Sequence, residues 1–246
     1  MTDIQKLMMA MLISVRIGVG VIGIAFPVIL WGVGEIAGVP MANSMSAYYH
    51  ATHDCSIPPA SGDMPAACLA QGEGPMRNWF VGNLFFIGAA MYLIKGFSRW
   101  ENYALNVAGV MAPCVALIPM PWPVATGYSI HTLHYVCAVL FFLCVGFTCV
   151  FCADKTLKEL PPGPNKDRLI AFYKRLYRIL AGVMILAPVA GWGAGLIWGH
   201  GTFALEMAGI WAFGAYWLVK TWELHRSDVE RRAMRGELVM NTKSLR

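Results

Sequence analysis

The residues of this chain best suited to chemistry are its histidines. There are six, and four fall into two H-x-x-H pairs, His50 with His53 and His131 with His134. Two imidazoles three residues apart on a helix share a face, so either pair can approach one metal ion or one ligand. Asp54 directly follows His53 and can ligate a metal or orient an imidazole. His200 stands alone in a W-G-H-G-T segment, and Glu206 follows it inside an apolar run. An ionisable group in such a run ordinarily faces a bundle interior and marks a site. A zinc or other transition metal held by His50, His134, His131 or His200, with His53 and Asp54 as further ligands, would lower the pKa of bound water to about 7. Glu206 would then be the carboxylate partner, Ser46 or Tyr49 the hydroxyl group of the site, and Arg77 the holder of a headgroup phosphate. H-x-x-H is far less specific than H-E-x-x-H, however, and neither pair has a Glu between its members. The same groups can equally form a hydrogen-bonded network that holds a loop onto helices, or stand together by chance.

What must position these residues follows from composition. The chain has 246 residues, of which 57% are hydrophobic and only 13% charged. A soluble domain carries about 25% charged residues. So few charges cannot cover a soluble surface, which excludes an ordinary soluble enzyme, a disordered chain and a nucleic-acid-binding module. Crossing a bilayer core takes about 20 mostly apolar residues in a helix. Six stretches fit that template: about 8–31, 79–97, 103–120, 131–153, 176–198 and 203–224. The expected fold is an all-α integral membrane protein, a single six-helix transmembrane bundle. The first stretch is too long for a signal-peptide core and has Arg16 in its middle, so it reads as a retained span.

Orientation follows from the cations. With the N-terminus inside, 18 of the 19 Lys and Arg residues fall on the inner side, and only Arg77 falls outside. The positive-inside rule then predicts both termini in the cytoplasm of a bacterial inner membrane. Five of the six histidines map to the outer side, with His225 the exception. A long outer loop covers residues 32–78, where Cys55 and Cys68 would sit in an oxidising compartment. A disulfide between them, closing a Pro/Gly-rich loop, is one reading; two free thiols are the other. The basic inner loop and the 225–246 tail read as topology determinants that also touch anionic headgroups, with the tail extending the last helix. The glycines of G-V-G-V-I-G and G-W-G-A-G read as points of close helix approach, and the helix-four cysteines as small apolar fillers.

Several motifs resemble a family of uncharacterised bacterial six-span proteins, a domain of unknown function distantly like the DRAM/FRAG/Sfk-type proteins. They are S-M-S-A-Y-Y-H at 44–50, R-N-W-F-V-G-N-L at 77–84, K-G-F at 95–97 and N-V-A-G-V-M-A at 106–112. V-A-L-I-P at 115–119, H-Y-V-C-A-V-L-F-F at 134–142 and E-M-A-G-I-W-A-F-G-A-Y-W-L-V-K at 206–220 complete the set. The resemblance covers most of the chain in order and implies six spans with both termini inside. It carries over Ser44, Ser46, Tyr48, Tyr49, His50, Arg77, His134 and Glu206, and no activity. The loop holding Cys55 and Cys68 is a departure from the family pattern, so His53 and Asp54 belong to this chain's own elaboration.

Three functions compete. One is a metal-dependent or acid/base enzyme acting on a lipid-like substrate at the outer leaflet. The second is an accessory, structural or assembly component, partnered by the bilayer and other membrane-protein subunits, whose polar cluster only fixes the outer loop. The third is a b-type haem protein with His134 and His200 as the axial pair. The second is preferred, because an enzyme requires a geometry that spacing alone does not supply.

Overall fold

The computed structural model describes residues 2–36, 39, 41–50, 75–118, 120, 131–160, 162–197 and 200–237. Among these residues the regular structure is all helical, with no strand. Helix α1 is Asp3–Ile36, and a short 3-10 helix follows at Ser46–Tyr49. Then come α2, Pro75–Leu93, α3, Arg99–Leu117, and α4, His131–Phe147. The last of these runs into a π-helical turn, Thr148–Cys152. A single turn, α5, Asp154–Leu157, leads to α6, Lys166–Ile197, and α7, Gly201–Ser227. The short α8, Val229–Met234, ends the described chain.

The six long helices pack as a closed ring. Helix α1 lies on α2, α2 on α3, α3 on α4, α4 on α6, α6 on α7, and α7 returns to α1. Among the described residues, three stretches are long and apolar enough to cross a membrane: Asp3–Ile36, Leu133–Cys152 and Gly201–Ser227. The ring also presents large apolar side chains outward, among them Val21 and Val28, Phe85 and Phe86, Val139 and Leu143, and Ile179 and Leu186. Such a surface would be an aggregation liability in water, whereas hydrocarbon solvates it without cost. Length, composition and surface together fit a membrane-embedded protein.

Two helix contacts depend on glycine. Where α1 crosses α7, a Cβ on Gly20 would meet Leu218 at 2.6 Å, and one on Gly214 would meet the Gly20 carbonyl oxygen at 2.8 Å. Where α2 crosses α3, a Cβ on Gly88 would meet Pro113 at 2.4 Å and one on Gly109 the Gly88 carbonyl oxygen at 2.9 Å. Lipid tails are as apolar as leucine, so burial gives no drive between helices in a bilayer and backbone proximity supplies the attraction. The G-V-G-V-I-G stretch behaves as its composition predicts.

Local chemistry sets the ends. Helix α3 opens with an S-x-x-E capping pattern: Ser98 accepts the Glu101 amide at 3.3 Å, and the Glu101 carboxylate accepts the Phe97 amide at 2.7 Å. At the far end of the chain, α7 does not extend into the tail as its charge pattern predicts. Asp228 takes a left-handed conformation, φ 54°, and turns the chain into α8. That turn brings Glu230 against Arg16, whose guanidinium donates to it at a buried position. Arg16, the cation inside the first apolar run, thereby acquires a counter-charge from the end of the chain.

Candidate functional site

At the end of the ring where α1 finishes and α7 begins, residues 41–50 lie across the helix ends. Val39 and, within the segment, Ala42, Met45, Ala47 and Tyr48 are buried, and Tyr48 packs against Phe203 with ring centroids 6.0 Å apart. Its hydroxyl oxygen accepts the Ala42 amide at 3.4 Å, closing the segment on itself. Burial pushes the Tyr48 hydroxyl above its ordinary pKa; the Ala42 amide opposes that shift and nearby Glu35 adds to it. Ser44 starts the 3-10 turn, its hydroxyl accepting the Ala47 amide at 3.1 Å.

Side chains from three helices fasten this segment. From α7, Glu206 accepts the Met45 amide at 2.5 Å, and the Phe203 amide donates to the Asn43 carbonyl at 2.9 Å. The latter satisfies one of the donors that a helix N-terminus leaves open. His200, just before α7, places Nδ1 3.4 Å from the Ala42 carbonyl. From α2, the Arg77 Nε donates to the Tyr49 carbonyl at 3.0 Å, and its guanidinium lies 4.3 Å from the centre of the Tyr49 ring. From α4, His134 reaches Ser46 with Nε2 at 3.0 Å and the Ile118 carbonyl with Nδ1 at 2.6 Å. His50 sends Nε2 to the Met120 carbonyl at 3.1 Å.

The partners assign the tautomer of His134. A carbonyl oxygen only accepts, so Nδ1 carries the hydrogen; in the neutral ring Nε2 is then bare and accepts the Ser46 hydroxyl. The result is a serine bonded to an imidazole that a third group orients, the arrangement that activates a hydroxyl nucleophile. It is also an effective tie between the loop and α4. For His134 to ligate a metal or a haem iron through Nε2, it would have to release Ser46.

Of the residues singled out by type and spacing, Ser46, Tyr49, His50, Arg77, His134, His200 and Glu206 therefore converge on one segment. His53, Asp54, Cys55 and Cys68, and with them the disulfide, lie outside the described residues. His131 opens α4, but its side chain is likewise outside them. No group of three or more His, Cys, Asp or Glu side chains among the described residues is placed to share a metal ion.

A second polar centre lies at the other end of α7, and its residue types and spacing attract no notice in the sequence. Lys220 is 3% exposed and Glu223 is 0% exposed, and they pair at 2.7 Å. The Lys220 ammonium also donates to the Thr156 hydroxyl at 2.6 Å and the Ala153 carbonyl at 3.1 Å. Thr156 and Tyr177 donate to the two Glu223 oxygens at 2.6 and 2.7 Å. Counted only as one more cation of the Lys/Arg-rich side, Lys220 is instead inside the protein. The available signal was the K-x-x-E spacing within an apolar helix, which puts both charges on one face.

No family model, curated protein or solved structure matches this chain.

Proposed function

We propose that this chain is a six-span protein of a bacterial inner membrane, with both termini cytoplasmic, that acts as an accessory or assembly component and not as a catalyst. Its polar cluster serves as a clasp that fixes residues 41–50 across the outer mouth of the helix ring and so presents a constant outer surface to partner subunits. One observation carries this reading: Glu206, Arg77, His134, His50 and His200 each hydrogen-bond a backbone group of residues 42–49 or 118–120. A site built for turnover would aim such groups at a substrate. The one-sided distribution of 18 of 19 cations supports the orientation.

A second reading has its own observation, the Ser46–His134 pair. In it the Ser46 oxygen attacks an ester carbonyl of a lipid-like substrate while its proton passes to His134 Nε2, which Ile118 holds in the required tautomer. The ester C–O bond then breaks, His134 returns the proton to the departing alcohol, and water releases the acyl group from Ser46 by the same route. The two readings separate with a fluorophosphonate probe, metal analysis and limited proteolysis on the full chain in detergent. The clasp requires no labelling and no stoichiometric metal in the wild type. It also requires faster cleavage near residue 45 in His134→Ala and Glu206→Ala, since each loses a buried hydrogen bond worth about 1–3 kcal/mol. Stoichiometric labelling of the wild type that disappears in Ser46→Ala and His134→Ala would replace the clasp with the hydrolase.

A further inference from the structure

The Lys/Arg-rich end of the ring holds a cavity of about 610 Å³ between the start of α6 and the last turn of α7. Lys166 and Arg168 line it from α6, and Arg226 lines it from α7. None of the described residues lining it is acidic. The remaining wall is largely apolar, and includes the buried Leu160 with Leu169 and Phe172. The two helices thus bring three cations and a hydrophobic floor to one recess.

Two features decide what kind of anion fits. The recess lies at the level where an apolar helix ends, because Arg226 falls in the last turn of Gly201–Ser227, a stretch able to cross a membrane. One turn earlier, on the same face, Trp222 is exposed, the aromatic-then-cation order found at membrane interfaces. Along α6, Phe172, Ile179 and Leu186 recur every seven residues and are 59%, 55% and 65% exposed. This apolar stripe begins at the wall of the recess and runs toward the middle of the helix. A free phosphate would meet the cations alone, whereas a phospholipid also uses the apolar wall and the adjoining stripe, which continues into the apolar outer surface of the ring.

We propose that this recess is a binding site for an anionic phospholipid, its phosphate held by Lys166, Arg168 and Arg226 and an acyl chain lying along Phe172, Ile179 and Leu186. The site is independent of the clasp, from which it is separated by the length of α7, about 30 Å from Glu206 to Arg226 at 1.5 Å per residue. Lys166 already donates to the Lys158 carbonyl at 3.0 Å, which leaves two of its three N–H donors for a phosphate.

The test is lipid titration of the delipidated full chain, read by native mass spectrometry and by thermal shift. Phosphatidylglycerol, phosphatidylcholine and inorganic phosphate serve as the three probes. Phosphatidylglycerol is expected to bind with one-to-one stoichiometry and raise the melting temperature, with phosphatidylcholine weaker and millimolar phosphate without effect. Each Lys or Arg near a membrane surface contributes about fivefold to anionic-lipid attraction, so Lys166→Gln/Arg168→Gln/Arg226→Gln is expected to weaken binding roughly 100-fold. Arg175→Gln/Arg178→Gln, which removes charge from the same helix outside the recess, is expected to change it by less than about threefold. If the triple variant does not fold, the exposed Arg168→Gln alone is expected to cost about fivefold. Three results overturn the site: inorganic phosphate competing with the lipid at equal concentration, equal losses in the recess and control variants, or unchanged binding in both Arg168→Gln and the triple variant.

Discussion

At the residue scale, the same kinds of side chain have opposite fates at the two ends of α7. Near its start, Glu206 and the histidines each bond a backbone group of residues 42–45 or 118–120, and His134 bonds the Ser46 hydroxyl as well. Near its end, Lys220, Glu223, Thr156 and Tyr177 satisfy one another, and both charges are buried. A buried ion pair adds little over apolar residues of equal volume, but removing one member strands the other. Lys220→Met is accordingly expected to destabilise the protein by about 3–5 kcal/mol in a denaturation series in detergent. Adding Glu223→Leu to that variant is expected to recover part of the loss, because no unpaired carboxylate then remains inside. Equal stability of Lys220→Met and the wild type would mean that the pair is wet. The histidine types and their spacing announced a site, and residue type alone was enough for that. What it did not reveal is that His134 faces a serine and a carbonyl, because partners 16 and 88 residues away are set by packing.

Elements meet where side chains are absent. The α1–α7 crossing brings the Gly20 and Gly214 backbones together, and a Cβ at position 214 would also lie 3.0 Å from the Ile24 amide nitrogen. Backbone cannot yield as a flexible side chain can. Gly214→Ala is therefore expected to lower the melting temperature by several degrees, the shift that a few kcal/mol produces in a chain of this size. Gly182, in α6, has nothing within 4 Å of where a Cβ would sit. Gly182→Ala is expected to be neutral or stabilising by up to about 1 kcal/mol through helix propensity. The same substitution with opposite outcomes, read in one thermal-shift experiment, checks that the contact and not glycine content sets the crossing. Element identities were legible because a helix satisfies its own backbone in lipid and needs about 20 mostly apolar residues to span it. Element ends were less so. Helix α6 starts at Lys166, ten residues before the apolar run at 176, since a charged amphipathic turn outside the hydrocarbon leaves no hydropathy signal.

For the whole molecule, the six long helices close into a ring by returning α7 to α1. Closure places the start of α7 beside the segment that follows α1, and so puts Glu206 within reach of Met45, 161 residues away in sequence. It also brings α8 under α1, where Glu230 meets Arg16. The proposed orientation has a direct check in reporter fusions. A fluorescent protein fused to the C-terminus is expected to fluoresce, and alkaline phosphatase inserted between residues 50 and 75 is expected to be active. The reverse pattern would invert the topology and move the clasp to the cytoplasmic side.

Composition and the spacing of apolar runs were sufficient, before any folding, to predict an all-helical chain with helices long and apolar enough to cross a membrane, because lipid imposes its demands on each helix separately. The polar residues worth inspecting were likewise legible, since an ionisable group in an apolar run has few other reasons to be there. Which of them meet was decided only by tertiary structure. Hydrogen bonds act over about 3 Å, and the ring brings those atoms together from helices far apart in sequence. The buried Lys220–Glu223 centre and the cationic recess beside Arg226 exist for the same reason: each is assembled from two or more elements, and no single stretch of sequence contains it.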